Sequence, residues 1–440
     1  MTSLSADWTH RRGDLLGSRF VRGNVAEAKP RVAWTWKPAH GGRVDQIRIA
    51  GDSIYVVTMP PGLPGWTHAM VHILDAKLGK ERVSRRLPDP APVGALALGP
   101  RSLHLAVAGD TVAPYHYALE RETLRPQRRT ALPLVTSGLE DDVLDLWAPS
   151  DERVAVEVEL GAERARRFGW VDLASRRGSL RAHEGGLAAG DRGGPPRDAA
   201  VSGEFLVVPV PGAIGPPQSA AGAHRMGVSE VTGGGEASKG SSPPPAAVWV
   251  LSSLEQPVAA TTIIGGESSV TCVFAAMATG GENDLDVEVL TMDRATSVVR
   301  QRHFARMSGA PARAFSGFRG VRTPAGNLYL QPVVAGGASW GLALRLSSGA
   351  GAQEGVLLGP RGVNLCFGTD DALVVLREKA AGIVTLAALD AQSTGGLQGR
   401  RAKSLWALDV ADAGEGVVAY AGQPGIVLRS TKAVSLVALA

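Results

Sequence analysis

Ile47-Arg48-Ile49-Ala50-Gly51-Asp52-Ser53-Ile54-Tyr55-Val56-Val57-Thr58-Met59, followed after a loop by Met70-Val71-His72-Ile73-Leu74-Asp75-Ala76-Lys77-Leu78-Gly79-Lys80, is the stretch on which the fold turns. An apolar run, a Gly-Asp-Ser turn, a β-branched and aromatic run, a loop and a third apolar run closing in Asp read as three antiparallel strands. Gly51 and Asp52 supply the positive φ or the side-chain-to-backbone bond that a tight hairpin needs. The unit recurs at 96–98, Gly99-Pro100, 103–107 and 115–119, closing in Glu120-Arg121-Glu122-Thr123. It recurs again at 364–367, Thr369-Asp370-Asp371, 373–376 and 383–389, closing in Asp390-Ala391.

The start of the second strand can be followed as Ile54, Leu103, Val154, Phe205, Val270, Leu328, Leu373 and Ile426, at spacings of 49, 51, 51, 65, 58, 45 and 53 residues. A period near fifty is that of a four-stranded blade, and radial repetition hides edges that a flat sheet of about thirty strands would expose. Third strands are expected at 71–74, 116–119, 170–173, 248–251, 287–292, 342–346, 385–389 and 434–439. The expected fold is therefore all-β, an eight-bladed β-propeller of four-stranded antiparallel blades forming one domain over 1–440. The last blade runs one strand short. The unassigned N-terminal segment Val32-Ala33-Trp34-Thr35-Trp36-Lys37 is expected to supply its outer strand and close the ring. The longest spacing contains 211–245, rich in Gly, Ser, Ala and Pro, which is expected to be a flexible insertion within blade four because it has little apolar surface to bury. Only three strands are found between 247 and 277, where four are wanted.

Composition agrees. The 440 residues include 55 Gly and 28 Pro, above average usage, while 44% of the chain is hydrophobic. That excludes a disordered chain and argues against a helical bundle. A formal charge of +4 is small for this length, no run of five basic residues exists, and so nucleic acid is not an expected partner. The N-terminus lacks the apolar core of a signal peptide and no run of 18 apolar residues occurs, so no membrane insertion and a cytoplasmic location are expected. Cys272 and Cys366 are 94 residues apart within apolar runs, which reads as two buried thiols.

Asp7-Trp8-Thr9-His10-Arg11-Arg12-Gly13-Asp14, then Trp34 and Trp36 in their strand, then Leu74-Asp75-Ala76-Lys77-Leu78-Gly79-Lys80 resemble the opening of quinoprotein-like (PQQ-like repeat) propellers over residues 7–87. The resemblance implies the propeller fold. The family includes calcium- and quinone-dependent dehydrogenases as well as non-catalytic scaffolds, so the resemblance implies no single function. The dehydrogenases would show an adjacent Cys-Cys pair, which two separate cysteines cannot form, and the non-catalytic branch is expected with no cofactor.

Candidate chemistry is sparse. Asp284, Asp286 and Glu288 alternate on one face of a strand, as weak calcium ligands or as a solvated acidic face. His68 and His72 are four apart but come without a third ligand. Gly51-Asp52-Ser53 superficially resembles a hydrolase nucleophile motif and reads better as a hairpin turn. Two faces remain. The loops carrying Trp66, His68, Arg225 and Trp340 would gather on one side of the ring as an interaction face, since aromatics beside Arg make interface anchors. Arg48, Asp145, Arg322 and Asn364 would line the channel on inner strands. The expected function is a non-catalytic scaffold binding another protein, alone as a monomer or as a subunit of a complex. The alternative is an enzyme or small-ligand-binding protein with its site at the channel mouth.

Overall fold

The computed structural model describes residues 19–439 except 62–66, 110–111, 133–141, 161–164, 175–176, 183–199, 203–204, 212–225, 233–247, 255–257, 266–268, 280–282, 294–295, 297, 310–314, 324–326, 335–340, 348–352, 361, 381, 391–401 and 412–424. Among the described residues there are seven four-stranded antiparallel sheets, each formed by strands consecutive in the chain, and one three-stranded sheet. Sheet one runs Arg43–Ala50, Ser53–Met59, Met70–Asp75 and Glu81–Arg86, as the opening stretch of sequence requires. Seven of the eight expected second-strand starts fall in the second strand of a four-stranded sheet, from Ser53–Met59 through Ser102–Gly109 to Ala372–Ala380, and Ile426 lies in Gly425–Arg429, an edge strand of the three-stranded sheet. No helix of the described residues is long and apolar enough to cross a membrane.

Sheet four departs from expectation. Its third strand is Met226–Thr232, and Val248–Leu251, expected third, is the fourth. The strand lies inside 211–245, the stretch expected to be a flexible insertion; Val228 and Val231 sit in it, with Ser229 paired to Val208 and Glu230 to Val207. A short run with three β-branched residues, Val228, Val231 and Thr232, is enough for a strand once neighbours on both sides complete its hydrogen bonds. This also removes the shortage of strands between 247 and 277.

The sheets bury their faces against one another. One apolar cluster joins sheets one and two, through Tyr55, Val71, Leu96 and Leu105. Others join sheets two and three, five and six, and six and seven. First strands also pack side by side, Arg43–Ala50 on Val93–Leu98 and Val258–Gly265 on Phe315–Arg322.

A feature absent from the sequence reading repeats at this contact. In six sheets the first strand slips by one residue against the second, between Val44 and Gln46, Val93 and Ala95, Val143 and Asp145, Val258 and Ala260, Phe315 and Gly317, and Leu365 and Phe367. Such a bulge bends and twists the strand where neighbouring sheets converge. Amide side chains engage backbone groups there across sheets: Gln46 Nε2 donates to Val93 O (2.8 Å) and Gly94 O (3.1 Å). Gln331, fully buried, donates to Val363 O (2.6 Å) and accepts from Leu365 N (2.7 Å). Gly94 has to be glycine, because a Cβ there would stand 2.5 Å from Val143 O of sheet three.

The three-stranded sheet unites the chain ends. Pro30–Trp36 pairs antiparallel with Val434–Leu439, which pairs with Gly425–Arg429. The preceding segment is tied to the first hairpin of sheet seven: Gly23 N donates to Asp370 Oδ2 (2.7 Å), and Val25 N and Ala26 N donate to the two oxygens of Asp371 (2.9 Å each). Trp34 donates to Ala76 O (3.0 Å) and Trp406 to Val25 O (2.7 Å). A single core holds Val21, Val25, Ile47, Phe367, Ile426 and Leu439.

Deleting residues 1–40 removes the partner of Val434–Leu439 and opens this core, so loss of soluble, cooperatively melting protein is expected. An unchanged melting temperature in the deletion variant would contradict it. Trp34→Ala, which keeps the strand, is expected to lower stability by about 2–4 kcal/mol in urea unfolding.

Candidate functional site

The four residues expected in the channel lie on first strands, Arg48 in sheet one, Asp145 in sheet three, Arg322 in sheet six and Asn364 in sheet seven. Arg48 and Asp145 are buried. Arg48 Nη1 donates to Ile47 O (2.7 Å), and Asp145 Oδ1 accepts from Leu146 N (3.0 Å). Arg322 reaches out of its own sheet to Ser269 Oγ (2.9 Å) and Thr271 Oγ1 (3.1 Å) of sheet five, so it fastens two sheets together. Burial lowers its pKa from the ordinary arginine value.

Of the expected interaction face, Trp66, Arg225 and Trp340 lie outside the described residues. His68 is half-buried and its Nδ1 is 2.9 Å from Leu87 O.

The alternating carboxylates face separate partners. Asp286 takes both nitrogens of Arg306 (2.8 and 3.1 Å), and Asp284 accepts from Gly309 N (3.2 Å). Glu288 is fully buried and accepts from Ser252 Oγ (2.7 Å), Ser253 N (2.8 Å) and Ser253 Oγ (2.7 Å), with Arg302 Nη1 at 3.2 Å. Charge-assisted bonds of this kind use up carboxylate lone pairs that a calcium ion would need. Among the described residues, no group of three or more His, Cys, Asp or Glu is placed to hold one metal ion.

Asp286 and Arg306 also line a pocket of about 450 Å³ between sheet five and the segment entering it, together with Ser253, Leu254, Ala276 and Phe304. Sheet five carries Met277, Val298 and Phe304 at 42%, 58% and 53% exposure, half of the large hydrophobic side chains that are exposed among the described residues. The outer strand, Val299–Ser308, is ten residues long, against four to eight for the fourth strands of the other sheets. Its even positions, Arg300, Arg302, Phe304 and Arg306, share the solvent side, with one aromatic standing in a basic row. The signal in the sequence is Phe304 alternating with Arg300, Arg302 and Arg306 along one strand rather than in a loop.

Two buried histidines lie where sheet two meets sheet three. His104 Nδ1 and His116 Nε2 are 2.9 Å apart, and Asp151 of sheet three approaches His104 Nε2 at 3.8 Å while accepting from Arg101 N (3.0 Å) and Ser102 N (2.8 Å). Desolvation lowers both histidine pKa values, that of His116 well below 6.5, with His104 and Arg128 adding to the effect there. Both rings are therefore neutral at pH 7.

No known family's sequence profile matches the chain, and no curated protein matches its sequence. Solved structures do match in shape. A europium-containing methanol dehydrogenase is 12% identical with a TM-score of 0.51, covering 98% of this chain and 90% of that one. The quinohemoprotein alcohol dehydrogenase ADHIIG from Pseudomonas putida HK5 is 11% identical with a TM-score of 0.54, covering 98% of this chain and 80% of that one. At this identity the likeness is one of fold: the chain has a β-propeller fold like that of these two structures. The residues do not fit the cysteine pair of the family's dehydrogenases, since Cys272 is in sheet five and Cys366 in sheet seven. Both thiols are free and buried, and burial pushes them up to about 12 and about 11.

Unfolding returns His104 and His116 to an ordinary value near 6.5, so below that pH the unfolded chain binds more protons than the native one. Stability is expected to fall on acidification from pH 6.5 to 5, by up to about 1.4 kcal/mol per pH unit for each histidine. Asp151, held below the ordinary carboxylate value by His104 at 3.8 Å and by the Arg101 and Ser102 amides it accepts from, adds a loss only below about pH 4. Melting temperature against pH measures this, and His116→Gln should flatten the slope even if it lowers the melting temperature.

Proposed function

We propose that this protein is a non-catalytic eight-bladed propeller, with the three-stranded sheet as its eighth blade, that docks another protein on the outer edge of sheet five. The pocket beside Phe304 carries the reading. An exposed aromatic flanked by arginines, over a concave site, has the composition of an interface anchor. The ten-residue outer strand offers a row of backbone groups to which an extended partner segment can add, with one apolar side chain entering the pocket. Arg302 and Arg306 are already ion-paired, so they guard this edge against indiscriminate pairing while leaving Phe304 as the contact.

The rival reading, an enzyme or ligand-binding protein with its site at the channel mouth, draws on the placement of Arg48, Asp145, Arg322 and Asn364 on inner strands. The two separate in a capture experiment from native lysate with quantitative mass spectrometry. Phe304→Ala should leave the melting temperature nearly unchanged, because the side chain is half in solvent, and should reduce recovery of a specific partner by about 30-fold or more. Recovery that survives Phe304→Ala but fails in the Trp66→Ala, Trp340→Ala double variant would move the interface to the loop face. Turnover or small-ligand retention lost in Arg48→Ala would favour the channel.

A further inference from the structure

His72 stands on the third strand of sheet one and is buried. Its Nδ1 lies 3.0 Å from Glu81 Oε2 and its Nε2 lies 2.9 Å from Thr58 Oγ1. A second imidazole converges on the same hydroxyl: His40, half-buried in the turn after Pro30–Trp36, brings its Nε2 to 3.3 Å from Thr58 Oγ1. The two ring centroids are 5.9 Å apart, and Trp36 meets His72 edge-on at 5.2 Å. His68, four residues away in sequence, does not face His72 but contacts Leu87 O. The fold supplies His40 instead, because the strand that carries the turn ends beside sheet one.

The protons can be assigned from chemistry. Glu81 as a carboxylate only accepts, so His72 donates from Nδ1 and keeps a lone pair on Nε2. Thr58 donates its proton to His72 and accepts from His40, so one small hydroxyl holds two Nε2 atoms around a common point. Gly42 leaves His40 its place, since a Cβ there would come within 2.9 Å of His40 Nε2. A carboxylate on the far nitrogen of an imidazole is the arrangement that orients a metal-bound histidine and raises its basicity.

We propose that His40 and His72 together bind a late divalent transition ion, with Cu²⁺ the tightest, and that Glu81 is a positioning residue for His72. Two imidazoles with oxygen and water completing the shell suit Cu²⁺ or Ni²⁺ better than the four protein ligands of structural zinc. Glu81 is not itself a ligand, because it occupies the nitrogen that faces away from Thr58. The ion replaces the two hydrogen bonds of Thr58, and the His40 proton moves to Nδ1, so neutral imidazoles bind without a net change in protonation.

The test is titration of the full-length protein with CuCl₂, read by equilibrium dialysis and by quenching of tryptophan fluorescence. Wild type should bind one ion at this site with partial quenching from Trp36, the indole beside His72. His40→Ala, on a turn and unable to disturb a core, should weaken that binding at least tenfold. Glu81→Gln should weaken it about 10- to 100-fold although it touches no ion, since an amide can turn the His72 tautomer around. Trp36→Phe should bind with the quenching reduced, and His68→Ala should match wild type. Undiminished binding in His40→Ala, binding lost in His68→Ala, or unreduced quenching in Trp36→Phe would overturn the proposal. The docking reading of sheet five stands or falls separately, on Phe304.

Discussion

Val434–Leu439 pairs on one side with the strand just before it and on the other with Pro30–Trp36, from the opposite end of the chain. The rest of the structure depends on that union. Sheets that bury their faces only against neighbouring sheets leave two open faces at the ends of any row. Here the core between sheets seven and one is assembled from both of them and from both chain ends, with Val21, Ile47, Phe367 and Leu439 in one cluster. Its polar counterpart is equally non-local, since Asp370 and Asp371, the turn residues of sheet seven, accept from Gly23, Val25 and Ala26. On the eight-bladed reading this union is the ring closure.

The first strands show how one local device can recur through a fold. A bulge at the same place in six sheets turns each first strand, and the frequent cost of a bulge is a backbone group without a ladder partner. Gln46 and Gln331 supply partners from the neighbouring sheet, so the irregularity becomes a bond between sheets. Asp151 does the same at the hairpins, reaching from sheet three to the Arg101 and Ser102 amides of sheet two.

Function is sought where the repeat is broken. Sheet five has the longest outer strand and the exposed Phe304 in an otherwise basic row. Sheet one has two histidines converging on Thr58, one from its own third strand and one from a turn that belongs to the chain's first strand. The acidic trio of sheet five, by contrast, is absorbed by serines, arginines and the Gly309 amide. Alternation placed Asp284, Asp286 and Glu288 on one face, yet burial and partners differ at each position.

How far the sequence alone reached follows from the range of the interactions involved. Hairpin turns such as Gly51-Asp52-Ser53 and runs such as Ile54–Met59 are local, set by φ preferences and by β-branched packing, so the strand-turn-strand unit, its period near fifty and the strand at Trp34 and Trp36 were legible. The third strand of sheet four was not. Met226–Thr232 looks too polar and too glycine-flanked to fold by itself, and it becomes a strand because Phe205–Pro211 and Val248–Leu251 complete its hydrogen bonds. The partner of His72 was likewise decided by tertiary structure. His68, four residues away in sequence, turns its ring to Leu87 O, while His40 arrives from 32 residues away through the pairing of the chain ends. Local geometry determined the repeating unit; which side chains meet across units was set by how the sheets stack, since those contacts join residues that no short-range pattern relates.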